Sequence, residues 1–404
     1  MIKLRMSAFP FKKNKTNIFL AVDIGSEAVK TLLFNKEEGK ISILGSSIWY
    51  YDQIREFGGQ NFEEDVIKKA ILKTIEESQK RKGSDKKPAG AFLGINANIL
   101  EGKISAEVYK RKKEKEKITE EEEREIYQAV LKSVRQKIAK LYSETSGILP
   151  EDIDFLSLKI IETKIDGYSI PKISGFPGKE IEFKILAVFS PKYYLESIKA
   201  VFKEAGIEIL GISHLSETLS FIFKTENPDG IFLDVGGQVT QIIQVKRGIL
   251  EKISKFDVGG EDFSQALSQV FGISKEQSRL LKERYSENDL PKNMGEGIRE
   301  VILKYLQRWF GNLKISLFEE KTFIPKKIFL LGGASQLPEI GEILKEGDWS
   351  SVSGVFPKGS LISALSLGAV PEVKSILPKD ISPNMDIPEK LNNSQFTSVF
   401  LLLI

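Results

Sequence analysis

Two aspartates stand where an apolar run gives way to glycine. Ile18 to Val22 leads into Asp23-Ile24-Gly25-Ser26, and Ile231 to Leu233 leads into Asp234-Val235-Gly236-Gly237-Gln238. A third segment, Leu331-Gly332-Gly333-Ala334-Ser335, closes the run from Ile328 without an acid. A buried strand that ends in glycine lets the backbone approach a ligand closely, and a carboxylate there is a fixed charge at the same spot. One such turn is usually only a tight turn. Three of them, with a domain-sized stretch between Asp23 and Asp234, point to one ligand held between two domains.

Few other side chains offer chemistry. There are no cysteines, which excludes disulfides, thiol nucleophiles and thiolate metal sites. His214 is the only histidine, and at the start of a predicted helix it reads as structural. Lys30 can reach a phosphate or can be a surface lysine on a strand. The 59 basic and 56 acidic residues leave a net charge of +3, which gives no argument for nucleic acid. The run Lys110 to Lys117 has mixed signs and reads as an exposed loop. Thr119, with Glu122 three residues on, caps the helix that follows.

The elements that must position the aspartates alternate between strand and helix, an α/β pattern. After the first strand, Thr31 to Phe34 and Ile41 to Leu44 form a hairpin across Glu37-Glu38-Gly39-Lys40. A helix is predicted over 62–81, with Val66, Ile67, Ala70, Ile71 and Ile75 on one face, and a strand over Ala91 to Ile95. Residues 96–188 form a separate module. Its helix, from Glu120 to Tyr142, carries Ile126, Val130, Val134, Ile138 and Leu141, and two strands follow at Phe155 to Ile161 and Ile181 to Phe189. A helix from Pro191 and a strand at Ile207 to Ile212 come next. The strand-turn-strand-turn-strand opening then recurs from Ile231 to Ile253, a duplicated architecture. Helices are predicted at Gly260 to Phe271, Lys275 to Tyr285, Gly295 to Glu320 and Leu361 to Leu367. Four prolines between Pro371 and Pro388 read as a linker. The apolar run Phe396 to Ile404 is too short to span a membrane, which takes ~20 residues. It can pack on the domain, but the polar linker before it favours a detached anchor.

The three glycine segments, in this order and spacing, resemble the actin-like ATPase superfamily. Asp23-Ile24-Gly25-Ser26 is similar to its first phosphate loop, Asp234-Val235-Gly236-Gly237 to its second, and Gly332-Gly333-Ala334 to its adenosine motif. The resemblance implies a two-domain fold of duplicated ribonuclease-H-like domains, with ATP and Mg²⁺ between them. Backbone N–H groups at two hairpin turns can wrap a polyphosphate, and two carboxylates can hold a hydrated Mg²⁺. The implied metal ligands are Asp23 and Asp234. The implied nucleotide-binding set is Asp23, Gly25, Ser26, Lys30, Asp234, Gly236, Gly237, Gln238, Thr240, Lys282, Gly332, Gly333 and Ala334.

Within the superfamily the chain resembles most the FtsA family of bacterial cell-division proteins, over roughly residues 18–370. Module 96–188 sits where that family inserts its own α+β subdomain, of the SHS2 type. Val258-Gly259-Gly260-Glu261-Asp262-Phe263 is similar to its entry into subdomain 2B, and Lys282 to a lysine on the nucleotide side. The implied domains are a basic arm at 1–17, a first actin-like domain at 18–95 and 189–224, the insert at 96–188, a second domain at 225–370, and a linker with apolar tail at 371–404. The implied function is a cytoplasmic filament on the inner face of the membrane. It would contact itself, the tubulin-like FtsZ and, through 96–188, later division proteins. The pattern is broken in three places. The second loop continues Gln238-Val239-Thr240-Gln241 where Gly-Thr-Thr-Asp is usual, Ser213 stands at an often acidic position, and Arg279 stands where Glu is common. Nucleotide binding is therefore better supported than turnover, with Gln238 the candidate to position a water. Two alternatives stay open. One is a PilM-like component of type IV pilus assembly, which Phe11-Lys12-Lys13 also suits. The other is a small-molecule kinase, for which no catalytic base stands out.

Overall fold

The computed structural model describes residues 17–51, 64–80, 87–226, 229–318, 326–349 and 371–403. The basic arm through residue 16, the ends of the predicted 62–81 helix and the predicted helix at 361–367 lie outside these residues.

The first sheet is built from β1 (Ile18–Ile24), β2 (Ala28–Glu37), β3 (Lys40–Tyr50) and β4 (Ala91–Ile95), with α1 (Glu64–Lys80) between β3 and β4. Next come β5 (Glu101–Lys110), α2 (Glu120–Ser146), β6 (Ile153–Ile165), β7 (Tyr168–Ser169) and β8 (Glu180–Pro191), which form the inserted module. The chain returns through α3 (Lys192–Glu204) and β9 (Ile209–Ser213), and α4 (Leu215–Glu226) leads out. The second half holds β10 (Gly230–Val235), β11 (Thr240–Lys246), β12 (Ile249–Phe256), α5 (Gly260–Phe271), α6 (Lys275–Ser286), α7 (Lys292–Phe318), β13 (Lys327–Leu331), α8 (Pro338–Glu346) and β14 (Glu372–Ser375).

The duplication is visible strand by strand. The first sheet runs β3-β2-β1-β4-β9 and the second runs β12-β11-β10-β13-β14. In each, an antiparallel three-strand meander is extended by parallel strands beside its first strand. β1 and β10 are thus central in their sheets, and each carries an aspartate, Asp23 or Asp234, one residue before its end. The insert is a separate four-stranded sheet, β5-β8-β6-β7, with α2 packed on it.

Local chemistry explains these elements. The predicted α1 face, Val66, Ile67, Ala70, Ile71 and Ile75, is buried throughout. On α2, Ile126, Val130, Val134 and Ile138 are buried, while Leu141 is exposed. The Thr119 hydroxyl accepts from the Glu122 N–H at 3.1 Å. The Glu122 carboxylate does not complete the capping box. It takes a two-pronged ion pair from Arg111, at 2.8 and 2.9 Å. Arg111 also donates to the Gly178 and Glu116 carbonyls. Within the polar run, then, Arg111 is a buried anchor and not part of a solvated loop.

The C-terminal segment corrects the linker-and-anchor expectation. Its Glu372–Ser375 stretch is the outer strand of the second sheet, paired in parallel with β13. Its end packs on the first sheet. Phe396, Val399, Phe400 and Leu403 form one cluster with Phe19, Ala21, Leu32 and Phe34. The alternate residues Leu20, Val22 and Leu33 face α1 and α3. A strand apolar on both faces needs a cover on both, and here the chain's own tail is the second cover. No helix among the described residues is long and apolar enough to cross a membrane.

Candidate functional site

The two loops that follow β1 and β10 are built alike. The Gly25 N–H donates to the Ala28 carbonyl, and the Gly236 N–H donates to the Val239 carbonyl, each at 3.0 Å. A Cβ on Gly25 would lie 2.8 Å from the Ala28 oxygen, so the turn requires glycine. The loops face and touch each other. The Gln238 N–H donates to the Ser26 hydroxyl at 3.0 Å, and a Cβ on Gly237 would meet that of Glu27 at 2.5 Å. The second loop is fixed from behind by the start of α5, where Gly260 and Glu261 donate to the carbonyls of Gly236 and Gly237. Lys282 holds that start in turn, donating to the Gly260 carbonyl at 2.7 Å.

Between the loops and the third glycine segment lies a cavity of about 100 Å³. Asp23, Gly25, Ser26, Lys30, Asp234, Gly236, Gly237, Gly332 and Gly333 all line it. Gly332 sits at φ 91°, and a Cβ there would overlap Asp234 Oδ1 and the Val235 carbonyl, so no other residue fits. Lys30 is directly opposite Asp23 in the β1–β2 register and pairs with its carboxylate at 3.1 Å. Burial, and then the nearby charge of Asp23, push the Asp234 carboxyl up to about 6. Asp23 and Asp234 thus bring two carboxylates to one cavity, a chemistry that suits a cation.

Four expected site residues do not line this cavity. Thr240 is fully buried, donating to the Val258 carbonyl and accepting from Trp309 Nε1 at 2.8 Å. Side chains alternate along a strand, so on β11 it is Gln241 that faces the cleft. Gln238 turns to a neighbouring polar cleft of about 510 Å³ with Asn98, Glu101, Lys255 and Asp257. Ala334 is buried in the turn after Gly333, and Lys282 acts through Gly260.

Sequence reasoning missed Tyr50, Asn96, Gln241, Gln395, Ser398 and Leu402, which also line the cavity. The register gave a usable signal for Gln241, which lies directly opposite Asp234. Its side-chain amide is held by His214, whose Nε2 is 2.9 Å away and whose Nδ1 is 2.7 Å from the Ser216 hydroxyl. Burial lowers the His214 pKa to about 4, so the ring is neutral at pH 7.

No protein-family model matches the chain. Its sequence is 25% identical to the cell division protein FtsA of Enterococcus hirae over 357 residues, 82% of this chain and 76% of that protein. The FtsA of Enterococcus faecalis is 25% identical over 82% of this chain and 77% of its own length. That of Streptococcus pneumoniae is 21% identical over 82% and 74%. The chain has the actin-like ATPase fold. Among solved structures, a chain of the PilM–PilN type IV pilus biogenesis complex matches with a TM-score of 0.62 at 15% identity, covering 95% of this chain and 97% of that one. In this actin-like frame the cavity lies between the two duplicated sheets, at the ends of their central strands.

Proposed function

We propose that this protein is a nucleotide-binding, actin-like scaffold of bacterial cell division. It would assemble with itself at the inner face of the membrane and tether the tubulin-like FtsZ. The observation that carries the nucleotide reading is the meeting of Asp23, Asp234 and three glycine segments in one cavity between two sheets of the same topology. The division reading rests on the FtsA relatives, which align with most of the chain.

The donor chemistry suits ATP with Mg²⁺. Turn amides and glycines approach a polyphosphate from both sides, and Asp23 and Asp234 suit a cation that keeps several of its waters. The space does not suit it in this conformation. Small-molecule sites run to roughly 300–1,000 Å³, and this cavity is about 100 Å³. Turnover, where it occurs, falls to Gln241 over Gln238, because Gln241 lines the cavity and is oriented by His214.

The test is ATP-dependent pelleting with lipid vesicles, with and without FtsZ, for the wild-type chain and Asp234→Ala. The expected result is nucleotide-dependent pelleting and FtsZ capture by the wild type and loss of both in the variant. Pelleting that ignores nucleotide, or an absence of FtsZ capture, overturns the scaffold reading. Recruitment to a pilus-assembly partner instead would favour the PilM-like alternative.

A further inference from the structure

The chain's own C-terminal segment forms one wall of the cavity. Residues 394–403 form three short helical turns, Ser394–Phe396, Thr397–Phe400 and Leu401–Leu403. One side carries Phe396, Val399, Phe400 and Leu403 and packs on the first sheet. The other side carries Gln395, Ser398 and Leu402, three and four residues apart, and all three line the cavity.

This side occupies groups that a ligand would need. The Ser398 hydroxyl donates to Asp23 Oδ2 at 2.6 Å, the oxygen that also takes Lys30. The Ser394 carbonyl accepts the Gly332 N–H at 3.1 Å, and the Ser394 hydroxyl lies 2.8 Å from that of Ser335. Gln395 Nε2 donates to the Tyr50 hydroxyl at 2.7 Å, and its Cγ is 3.7 Å from where a Cβ on Gly333 would lie. A methyl group of Leu402 would lie 3.4 Å from a Cβ on Gly94. One carboxylate, one backbone donor of the third glycine segment and one phenol are therefore satisfied from within the chain.

We propose that residues 394–402 are an intramolecular occupant of the cleft, so that nucleotide enters only when this segment leaves. The proposal rests on the nucleotide reading given above. The segment is autoinhibitory by direct competition at Asp23, Gly332 and Tyr50. Its apolar side keeps it seated on the sheet, and its polar side holds the cleft closed. The apparent affinity for nucleotide is then the intrinsic affinity reduced by the fraction of molecules with the segment displaced.

Amide hydrogen exchange of the full chain, read by mass spectrometry with and without Mg²⁺ and ATP, tests it. The expected result is two opposite changes on adding ATP. Peptides covering 25–28 and 236–239 gain protection, and the peptide covering 394–403 loses it. In parallel, Ser398→Ala removes the bond to Asp23 without touching the buried apolar side, and is expected to bind ATP about tenfold more tightly, the scale of a lost hydrogen bond to a charged group. Loop protection with no change in 394–403, or unchanged affinity of Ser398→Ala, overturns the proposal and leaves the nucleotide reading standing. No loop protection in either protein overturns the nucleotide reading and the proposal with it.

Discussion

At the scale of single residues, His214 shows how burial decides chemistry. It is the chain's only histidine and is about 1% exposed. Burial lowers its pKa to about 4, the Lys255 charge adds to this, and Glu217 opposes it. In the unfolded chain the ring titrates near 6.5. Between these values the unfolded state binds the extra proton, so stability rises with pH through the window and is lost as pH falls from about 6.5 toward 4. The loss amounts to about 3 kcal/mol, on the order expected for such a shift. Urea unfolding of the wild type and of His214→Gln across pH 4 to 7 checks this. The difference between the two curves should shrink as the pH falls, and a difference constant with pH would remove the burial account. The functional link runs through Gln241, because a neutral ring is what holds its amide beside Asp234.

At the scale of elements, the C-terminal segment separates what was legible from what was not. The strand-turn-strand openings at Asp23 and Asp234 were readable because local rules set them: apolar runs, glycine turns and a repeated order. The α1 and α2 faces were readable from helical spacing. The short segment at 397–403 carried no such period, and four prolines before it suggested a linker. What overrode that suggestion was non-local. Phe19, Ala21, Leu32 and Phe34 form an apolar face that α1 and α3 do not cover. The same limit applied to Arg111, whose partner Glu122 lies on the next helix, and to Thr240, where strand alternation had to be combined with knowledge of which face met the cleft. Phe400→Ala tests the packed tail directly. Phe400 is about 1% exposed, and truncating a buried phenylalanine costs about 3–5 kcal/mol. Chemical denaturation should show a loss of that size, whereas a residue on a detached linker would lose almost nothing.

At the scale of the whole molecule, the two halves are tied at several places around one cleft. On one side, Lys255 of the second half donates to Glu101 and to the Ala97 carbonyl, each at 2.6 Å, and Lys184 of the insert pairs with Glu251 at 2.8 Å. At the loops, Ser26 meets Gln238. On the other side, the Arg279 guanidinium of α6 lies 3.7 Å from the centre of the Tyr50 ring of β3 and pairs with Glu283 at 2.9 Å. Burial, then the Glu283 carboxylate, push the Tyr50 phenol far above its ordinary range, so it stays protonated. The Arg279 cation thus stacks across the cleft on the Tyr50 ring. A desolvated cation–π contact is worth about 2 kcal/mol, which corresponds to roughly thirtyfold in the balance between closed and open cleft. Arg279→Ala should therefore shift the molecule toward the open form, seen as a larger radius of gyration in X-ray scattering without nucleotide. Opening should also strain the tail, which bonds to Asp23 in the first half and to Gly332 in the second. An unchanged scattering profile would mean that the Lys255 and Lys184 pairs, the Ser26–Gln238 contact and the tail hold the halves together without Arg279.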